Sequence, residues 1–494
     1  MKRELRPHQT RAIEMLRQSL GSGKRRPVLQ APTGFGKTRL AAAVVESALA
    51  KKKRVIFTVP ALSLVDQTVQ AFWDEGIRDV GVIQGTHPMT DWSRPVQVAS
   101  VQTLQRRQFP NADVVMIDEC HRWYDYYGQW MNDPAWQRRP FIGLSATPWT
   151  RGLGQYFDDL IIASTTQELI SEGFLSPFRV FAPSHPDLTG VRTVAGDYHE
   201  GDLSRLMNDA PLVADVVDTW RRQTENRSTF CFAVDRTHAK HLQTKFTEAG
   251  VSTGYIDAYT PINERDEIKR QFHNGDIRVV CNVGCLTTGV DWDVRCIVLA
   301  RPTKSEILFV QIIGRGLRIA EGKEDCLILD HSDTHLRLGF ATAIHHDVLD
   351  DGRARARSKA TDRIRLPKEC PKCSFLKPPR MPECPACGFK AEAVDDTQVA
   401  DGELVEITGR KKRGEAASKD EKATFYAQLM GYAQERGYSS GWAAHKFREK
   451  FDVWPNDYRN VPATEPTPKV RSWIKSRQIA WAKSKQRHAQ QITA

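Results

Sequence analysis

The 494-residue chain contains no uninterrupted apolar run long enough to cross a bilayer. The charged residues 1–6 are not followed by the apolar stretch of a secretory signal. The ten cysteines also lack the arrangement of a secreted disulfide framework. These absences argue against a membrane-spanning or secreted protein and predict a chain that works inside the cell. Six cysteines lie singly in apolar runs and are expected to be small core residues: Cys120, Cys231, Cys281, Cys285, Cys296 and Cys326.

Positive charge is concentrated toward the end of the chain. The whole chain has a net charge of +11, yet residues 1–350 are neutral. Residues 407–494 carry 18 Lys and Arg against 8 Asp and Glu, whereas residues 391–406 are acidic. Clustered positive charge is typical of a protein that binds a polyanion. The alternative is a tail whose charge serves solubility alone.

The segment 31–38, Ala-Pro-Thr-Gly-Phe-Gly-Lys-Thr, has the pattern of a phosphate-binding loop. It follows a short apolar strand pattern and precedes a helical one. Gly34 and Gly36 would let backbone N–H groups surround phosphate oxygens, and the helix N-terminus adds partial positive charge. Lys37 would reach the β- and γ-phosphates, and the Thr38 hydroxyl would hold Mg²⁺.

A second segment, residues 113–121, predicts a buried strand with two carboxylates at its carboxyl end. Ligands of parallel sheets bind at that end. Asp118 would hold Mg²⁺, directly or through water, and Glu119 would orient and polarise the attacking water. Capping of the strand is the alternative role for these acids. Because strand patterns alternate with helical ones along this half, we expect a parallel sheet covered on both faces.

Three residues outside these segments have side chains or backbones suited to a nucleoside. Gln9 offers a donor and an acceptor, as the N6/N7 edge of adenine requires; the alternative is a solvated side chain at the start of a helix. Gly289 permits close backbone approach, and Asp291 can accept a hydrogen bond from a ribose hydroxyl.

The segment 311–318, Gln-Ile-Ile-Gly-Arg-Gly-Leu-Arg, predicts a helix with Arg315 and Arg318 on one face. Phosphoryl transfer needs positive charge beside the γ-phosphate. Arginines of a second domain supply it only when the two domains close, which couples the nucleotide to domain geometry. The alternative is a surface pair that forms salt bridges.

These segments resemble, in order and spacing, the motifs of superfamily 2 helicases. Residues 31–38, 118–121 and 145–147 match motifs I, II and III; residues 288–291 and 311–318 match motifs V and VI. Motif I begins with alanine, as in that superfamily, where the general phosphate-loop pattern has glycine. Asp-Glu-Cys-His, with Leu-Arg-Pro-His-Gln near the start, looks most like the group of XPB-type and phage branch-migration helicases. The resemblance covers roughly residues 5–335.

The resemblance implies two tandem RecA-like parallel-sheet domains that hold ATP between them and act on nucleic acid, above all single-stranded or branched duplex DNA. It implies an ATP hydrolase that works as a helicase or translocase. The alternatives are the motor subunit of a restriction or repair nuclease and a non-unwinding DNA-binding switch. A monomer is favoured. We expect it in the cytoplasm of a bacterial or phage-infected cell, associated with the nucleoid.

The site residues follow from matching these motifs. The catalytic set is Lys37, Asp118, Glu119, Gln311, Arg315 and Arg318. The nucleotide-contacting set is Arg6, Gln9, Thr33, Gly34, Phe35, Gly36, Lys37, Thr38, Gly289 and Asp291. Thr38 and Asp118 would hold Mg²⁺, and Pro60 and Thr103 fall where the family touches the nucleic-acid backbone.

Two Cys-x-x-Cys pairs, Cys370/Cys373 and Cys384/Cys387, supply four thiolates, the number that tetrahedral Zn²⁺ needs. Their short spacing predicts a small ribbon whose folding energy would come mostly from a structural zinc ion. Free thiols and a redox pair are the alternatives.

Two aromatic-rich regions allow more than one interpretation. Residues 122–130 with Trp136 could stack on a base or wedge a duplex fork, but packing of a helix on the domain core is favoured. In the tail, a helical region from about residue 423 and a last amphipathic segment at 471–483 mix aromatics with Lys and Arg. They would grip phosphates or dock on the ribbon, and both alternatives stay open.

The sequence therefore predicts an α/β protein with two RecA-like domains, a small zinc ribbon and a basic α-helical C-terminal region. The predicted boundaries are domain 1 at 1–175, domain 2 at 176–345, a basic linker at 346–368, the ribbon at 369–390, a linker at 391–415 and the helical tail at 416–494.

Overall fold

The computed structural model describes residues 4–287, 291–353, 366–390 and 418–477, apart from positions 452, 459 and 475. Its first part, which we call lobe 1, is built on a parallel sheet of seven strands in the order β3-β4-β2-β5-β6-β1-β7. The strands are β1 Pro27–Gln30, β2 Val55–Val59, β3 Val80–Ile83, β4 Val96–Ser100, β5 Val114–Asp118, β6 Phe141–Ser145 and β7 Asp159–Ile162.

The strands of lobe 1 are short apolar runs, and those at its centre are buried on both faces because helices cover both sides of the sheet. The helices are α1 Pro7–Gly21, α2 Lys37–Leu49, α3 Val65–Asp74, α4 Val101–Leu104, α5 Asp125–Asn132 and α6 Thr166–Ser171. In the strand order, β6 lies between β5 and β1, so the ends of the three strands that precede motifs I, II and III are neighbours.

Lobe 2 is built on a second parallel sheet, of six strands in the order β12-β13-β11-β14-β15-β8. They are β8 Phe178–Phe181, β11 Thr229–Phe232, β12 Thr253–Ile256, β13 Val279–Asn282, β14 Cys296–Leu299 and β15 Cys326–Asp330. A two-stranded hairpin, β9 Thr193–Val194 and β10 Asp197–Tyr198, precedes its first helix. The helices are α7 Glu200–Met207, α8 Ala210–Gln223, α9 Arg236–Glu248, α10 Ile262–Asn274, α11 Glu306–Gly316 and α12 Thr334–Leu338.

The last strand of the first sheet ends at Ile162 and the first strand of the second begins at Phe178. Helix α6 and a crossover of residues 172–177 lie between them. Both sheets belong to one compact unit, residues 1–393. The boundary at 175 and the other domain limits stay predictions. Five of the six singly placed cysteines are buried in the two lobes, and Cys285 is half-buried.

The cysteine pairs lie in a small ribbon beside lobe 2. Its strands, β16 Lys368–Glu369 and β17 Leu376–Lys377, are antiparallel. The ribbon packs on the edge strand β8: the rings of Phe181 and Phe375 are 5.4 Å apart, and the Ala182 N–H donates to the Ser374 carbonyl at 2.9 Å. The ribbon therefore covers an otherwise open sheet edge.

A second compact unit, residues 394–494, contains α13 Lys419–Glu435 and α14 Ser440–Phe451. Helix α13 begins at Lys419, earlier than the predicted start near 423, because Ser418 and Glu421 form a capping box. Its aromatic side chains, with Phe447 and Ile474, form their own core. The arginines and lysines predicted at 354–365, the acidic segment 391–406 and residues 478–483 lie outside the described residues.

Among the described residues, none of the helices combines the length and the apolar character that a bilayer crossing requires.

Candidate functional site

A cavity of about 520 Å³ opens between the two lobes and is lined from both sides. Lobe 1 contributes the phosphate-binding loop and the carboxylates at the end of β5, and lobe 2 contributes Asp291 and the end of α11. Most of the predicted site residues line this one cavity: Arg6, Gln9, Thr33, Gly34, Gly36, Lys37, Thr38, Asp118, Glu119, Asp291, Gln311, Arg315 and Arg318.

The phosphate-binding loop owes its shape to its two glycines. Gly34 and Gly36 have φ of 85° and 86°, a left-handed conformation that side chains other than glycine rarely adopt. Gly36 is the N-cap of α2, which starts at Lys37 and directs its N-terminal N–H groups into the cavity end of the loop. The side chain of Phe35 is fully buried in the lobe 1 core, and this predicted contact is not among the residues that line the cavity.

Lys37, Asp118 and Glu119 form one charged cluster. The Lys37 ammonium contacts the Glu119 carboxylate and lies 3.7 Å from Asp118 Oδ1. Burial opposes the charge of Lys37, but the attraction of Glu119 and Asp118 outweighs it and raises the pKa of Lys37. Burial raises the pKa of Asp118, whereas Lys37 and the bond from His121 overcome burial and lower the pKa of Glu119. The cluster thus holds an ionised Glu119 beside a protonated lysine.

Glu119 is also constrained by its backbone and by a neighbouring ring. Its φ is 47°, in the left-handed region that costs energy for a side chain other than glycine. His121 Nδ1 lies 2.9 Å from Ser145 Oγ and 3.3 Å from Glu119 Oε2. The carboxylate therefore has one fixed position at the carboxyl end of β5.

Gln311 of lobe 2 hydrogen-bonds to two residues of lobe 1. Its Nε2 lies 3.0 Å from His121 Nε2 and 3.3 Å from Thr147 Oγ1. An amide nitrogen only donates, so His121 Nε2 accepts and its Nδ1 carries the proton that faces Ser145 and Glu119. Since Gln311 is 7% exposed, this contact is shielded from water. It joins α11 to the segments that carry motifs II and III.

A second contact between the lobes is backbone against side chain. A Cβ added at Gly314 would lie 2.6 Å from Thr33 Oγ1 and 2.7 Å from Thr33 Cβ. Only glycine permits this approach between α11 and the phosphate-binding loop. This close approach explains why the 311–318 segment has a glycine three residues after Gln311.

The sequence predicts that Arg315 and Arg318 share one helical face. The structure shows that they do not. Helix α11 ends at Gly316, so Arg315 is helical and Arg318 lies in the turn beyond it. The Lys323 ammonium donates to the carbonyls of Gly316 and Arg318, at 2.6 and 2.7 Å, and to the Val294 carbonyl at 2.6 Å, so it satisfies carbonyls at the end of the helix. Both arginines nevertheless line the same cavity.

Arg315 and Arg318 differ in their surroundings. Arg315 is 8% exposed, and burial lowers its pKa, which still leaves a guanidinium charged at neutral pH. Arg318 is ion-paired to Asp291, the residue predicted to accept from a ribose. Gly289, the other predicted residue of that segment, lies outside the described residues.

The far end of the cavity is formed by Arg6, Gln9 and Phe174. The Gln9 amide donates to the carbonyls of Phe35 and Gly36 at 3.0 and 3.3 Å and accepts from the Arg6 N–H. Gln9 therefore ties the start of α1 to the phosphate-binding loop. Sequence reasoning missed Phe174; the signal was an aromatic directly after Gly173, at the expected crossing between domains.

The two residues predicted to touch a nucleic-acid backbone lie at the carboxyl ends of neighbouring strands. The Pro60 carbonyl accepts from Gln102 Nε2 at 2.6 Å and from the Tyr124 hydroxyl at 3.2 Å. Thr103 follows β4, with its Oγ1 3.0 Å from Ser100 Oγ. Both residues thus lie at the carboxyl edge of the lobe 1 sheet, the edge that also carries the cavity-lining segments.

The aromatic segment before motif III mostly packs in the core, as favoured from the sequence. Helix α5 buries Tyr126, Tyr127 and Trp130, and Trp130 stacks on Phe109 at 5.6 Å. Trp123 is half-buried against Tyr156, with ring centres 4.1 Å apart.

The four clustered cysteines form a candidate metal centre. Their sulfurs all lie within 4.8 Å of one another, and the pairs Cys370–Cys387 and Cys373–Cys384 are 3.7 Å apart. Tetrahedral Zn–S bonds of about 2.3 Å place sulfurs about 3.8 Å apart, so the spacing matches zinc.

The two halves of the ribbon repeat one backbone pattern. The Cys370 N–H donates to the Phe375 carbonyl, and the Cys370 carbonyl accepts from the Ser374 N–H. In the other half, the Cys384 N–H donates to the Phe389 carbonyl, and the Cys384 carbonyl accepts from the Gly388 N–H. Ser374 and Gly388 both have positive φ, 56° and 68°. Two equivalent turns therefore direct two thiols each toward one point.

Comparison with known families agrees with these two lobes. A family described as "Type III restriction enzyme, res subunit" matches residues 2–150, and one described as "Helicase conserved C-terminal domain" matches residues 212–320. Together the two matches span just over half of the chain.

Similar proteins come from a phage, a yeast and a bacterium. The chain is 27% identical to the "51.5 kDa protein" of Lactococcus phage (isolate 7-9), over 73% of this chain and 77% of that one. It is 33% identical to "Putative ATP-dependent helicase IRC3" of Saccharomyces cerevisiae, over 48% of this chain and 37% of that one. It is 28% identical to "Type I restriction enzyme EcoAI endonuclease subunit" of Escherichia coli, over 66% of this chain and 46% of that one. The last two matches thus span less than half of the relative.

A solved structure shares the fold. "The fragment structure of a putative HsdR subunit of a type I restriction enzyme from Vibrio vulnificus YJ016" superposes with a TM-score of 0.54 at 22% identity, covering 71% of this chain and 70% of that one. The structure has two parallel sheets with a phosphate-binding loop, an Asp-Glu pair and an arginine-bearing helix at one cavity. These features and the two family matches lead to one assignment. The chain belongs to the superfamily 2 helicases.

Proposed function

We propose that this chain is an ATP-dependent helicase or translocase that acts on DNA, in single-stranded or branched duplex form. One observation carries the proposal: Lys37 and Glu119 of lobe 1 and Arg315 of lobe 2 line one cavity. A triphosphate held there touches both lobes, so its hydrolysis changes how the lobes are held together.

Lys37, Thr38 and the backbone around the two loop glycines would hold the phosphates. Thr38 and Asp118 have the oxygen ligands that Mg²⁺ prefers, and the metal would neutralise charge on the phosphates. An incoming phosphate replaces Glu119 as the partner of the Lys37 ammonium, which frees the carboxylate to orient water. The ion pair between Lys37 and Glu119 is therefore the resting arrangement of both groups.

Arg315 would stabilise the charge that develops on the transferred phosphoryl group. Gln311 would couple this change in lobe 2 to lobe 1, because its amide contacts His121 and Thr147. These residues follow Glu119 and Ser145 by two positions. Loss of the γ-phosphate removes a partner common to both lobes and loosens this seam. Repeated closing and loosening would shift the loops at Pro60 and Thr103 along a strand.

The basic tail supports a nucleic-acid partner, since residues 407–494 carry a large excess of Lys and Arg. The printed name of the similar yeast protein, an ATP-dependent helicase, supports a helicase motor, and DNA rather than RNA is our proposal. We further propose that the chain acts as a monomer, in the cytoplasm and near the nucleoid.

The test is ATP hydrolysis measured with no nucleic acid, with single-stranded DNA, with branched DNA and with RNA. We expect DNA, above all branched DNA, to stimulate turnover at least tenfold over the unstimulated rate. Turnover that is equal under all four conditions would contradict a nucleic-acid-driven motor. A forked duplex labelled on one strand then separates unwinding from a switch that hydrolyses ATP without strand separation.

A second candidate, the motor subunit of a restriction or repair nuclease, is favoured by the similarity to the EcoAI subunit. That match covers 46% of the relative, so its nuclease activity does not transfer with the motor. Plasmid incubated with the chain, Mg²⁺ and ATP distinguishes the two: cleavage supports the second candidate, and intact plasmid with ATP turnover supports the first.

We propose that Cys370, Cys373, Cys384 and Cys387 hold one structural Zn²⁺, because four protein ligands leave no open position for chemistry. The expected zinc content is one ion per chain, lost when Cys384 is replaced by Ser. We also retain the predicted divisions at 175, 345, 368, 390 and 415 as proposed domain boundaries.

A further inference from the structure

Three consecutive residues of the crossover 172–177 contact three different parts of the candidate site. Phe174 lines the cavity, Leu175 packs against the phosphate-binding loop, and Ser176 bonds to lobe 2. None of the three belongs to the predicted site.

Phe174 is half-buried at the end of the cavity that also holds Arg6 and Gln9. Its ring centre is 4.7 Å from that of His8, at an interplanar angle of 72°, and His8 is 4.6 Å from Phe35. This row of rings fixes Phe174 relative to the loop. The Arg6 guanidinium lies 5.2 Å from the Phe174 ring centre. A purine stacked on this face of the ring would displace the Arg6 guanidinium, a flat group that itself stacks on aromatic bases.

Leu175 is 1% exposed and lies against the backbone of the loop. A Cβ added at Gly34 would come within 2.4 Å of Leu175 Cδ2. The crossover and the loop therefore cannot move independently, since either displacement would open a gap or a clash at this contact.

Ser176 connects the same segment to lobe 2. Its N–H donates to the Leu317 carbonyl at 2.7 Å. Leu317 directly precedes Arg318 in the turn after α11. Three successive residues thus contact the base end of the cavity, the phosphate end and the arginine turn.

We infer that Phe174 is a stacking contact for the purine base, and that residues 174–176 transmit base occupancy to the phosphate-binding loop and to the arginine turn. The inference rests on the proposed ATP site and adds a base contact that the motifs do not contain.

The variant Phe174→Leu removes the ring and retains an apolar side chain. We expect its dissociation constant for ATP, measured by calorimetry, to rise about tenfold, because stacking on an aromatic ring contributes about 1–3 kcal/mol per base. Inorganic tripolyphosphate has no base, so its affinity should stay within about twofold of wild type. Phe174→Tyr keeps the ring and should restore ATP affinity.

The matched control is Phe178→Leu, the same change four residues later, in a ring that packs on Phe340 away from the cavity. It should leave both affinities unchanged. Circular dichroism checks folding, and Phe174→Met is measured in place of the leucine variant if that variant is unfolded.

Two outcomes overturn the inference: ATP affinity within twofold of wild type in Phe174→Leu, or an equal loss for ATP and tripolyphosphate. The second outcome would mean that the ring supports the loop and does not contact the base. A wild-type protein that binds no ATP would instead overturn the proposed function, so the two failures are distinguishable.

Discussion

At the scale of single residues, Glu119 has unusually many constraints. Its carboxylate contacts the Lys37 ammonium and lies 3.3 Å from the His121 ring, and its backbone is left-handed. A group that only capped a strand would need none of these. Lys37 and His121 keep the pKa of Glu119 low, so it remains an ionised acceptor for a water proton near neutral pH.

Replacing Glu119 with Gln keeps the shape and removes the charge. We expect ATP turnover to fall by at least about 100-fold, the lower end for loss of a general base, while ATP still binds. Steady-state hydrolysis and calorimetric binding measure the two effects separately. Glu14→Gln, an exposed change on α1, is the control and should hydrolyse ATP at the wild-type rate. Undiminished turnover in Glu119→Gln would show that another group orients the water.

At this scale, sequence predicts the placement of residues best where the chemistry is local in sequence. Lys37, Thr38, Asp118 and Glu119 follow strand ends that the apolar runs already mark, and these four line one cavity. The spacing predicts that Arg318 lies on a helix face. This prediction is wrong because spacing alone cannot show that α11 stops at Gly316. The Lys323 ammonium donates to carbonyls at that helix end, those of Gly316 and Arg318, and this contact is not visible in the spacing of the motif.

At the scale of elements, the seam between the lobes depends on how closely α11 approaches the phosphate-binding loop. Gly314 is the point of closest approach, and Gln311 lies one helical turn earlier. Both contacts involve the same face of α11. Any side chain at position 314 therefore separates the helix from the loop and stretches the Gln311 hydrogen bonds.

Gly314→Ala should lower ATP turnover by about tenfold or more, since the new Cβ would meet Thr33 at 2.6–2.7 Å. The lobes themselves should stay folded, because the clash lies at their seam. Gly21→Ala is the matched control: its added Cβ has nothing within 4 Å. Turnover by both variants, with thermal melting of each, makes the comparison. Wild-type turnover in Gly314→Ala would mean that the lobes need not approach this closely.

Elements were predictable because strand and helix patterns alternate, but strand order was not. The first strand in sequence lies between the sixth and the seventh, an arrangement set by crossovers and by contacts distant in sequence. Likewise, the sequence predicted a ribbon from four cysteines but gave no sign that it packs on β8. That contact depends on Phe181 and Phe375, which are ordinary aromatic residues in sequence.

At the scale of the whole molecule, the cavity is lined by residues of both lobes. Lobe 1 alone has the loop and the carboxylates, and lobe 2 alone has the buried Arg315. Hydrolysis should therefore need both lobes, whereas binding should depend mainly on lobe 1. The two activities can be separated by a change in lobe 2 that leaves lobe 1 untouched.

Arg315→Ala tests this division of labour most directly, with Arg205→Ala, an exposed arginine of lobe 2, as control. ATP binding and DNA-stimulated hydrolysis are measured on both variants. We predict that Arg315→Ala binds ATP within a few-fold of wild type but hydrolyses it about 10³-fold more slowly, the loss typical of a missing arginine at a phosphoryl-transfer site. Hydrolysis by Arg315→Ala at the rate of Arg205→Ala would contradict a site shared between the two lobes.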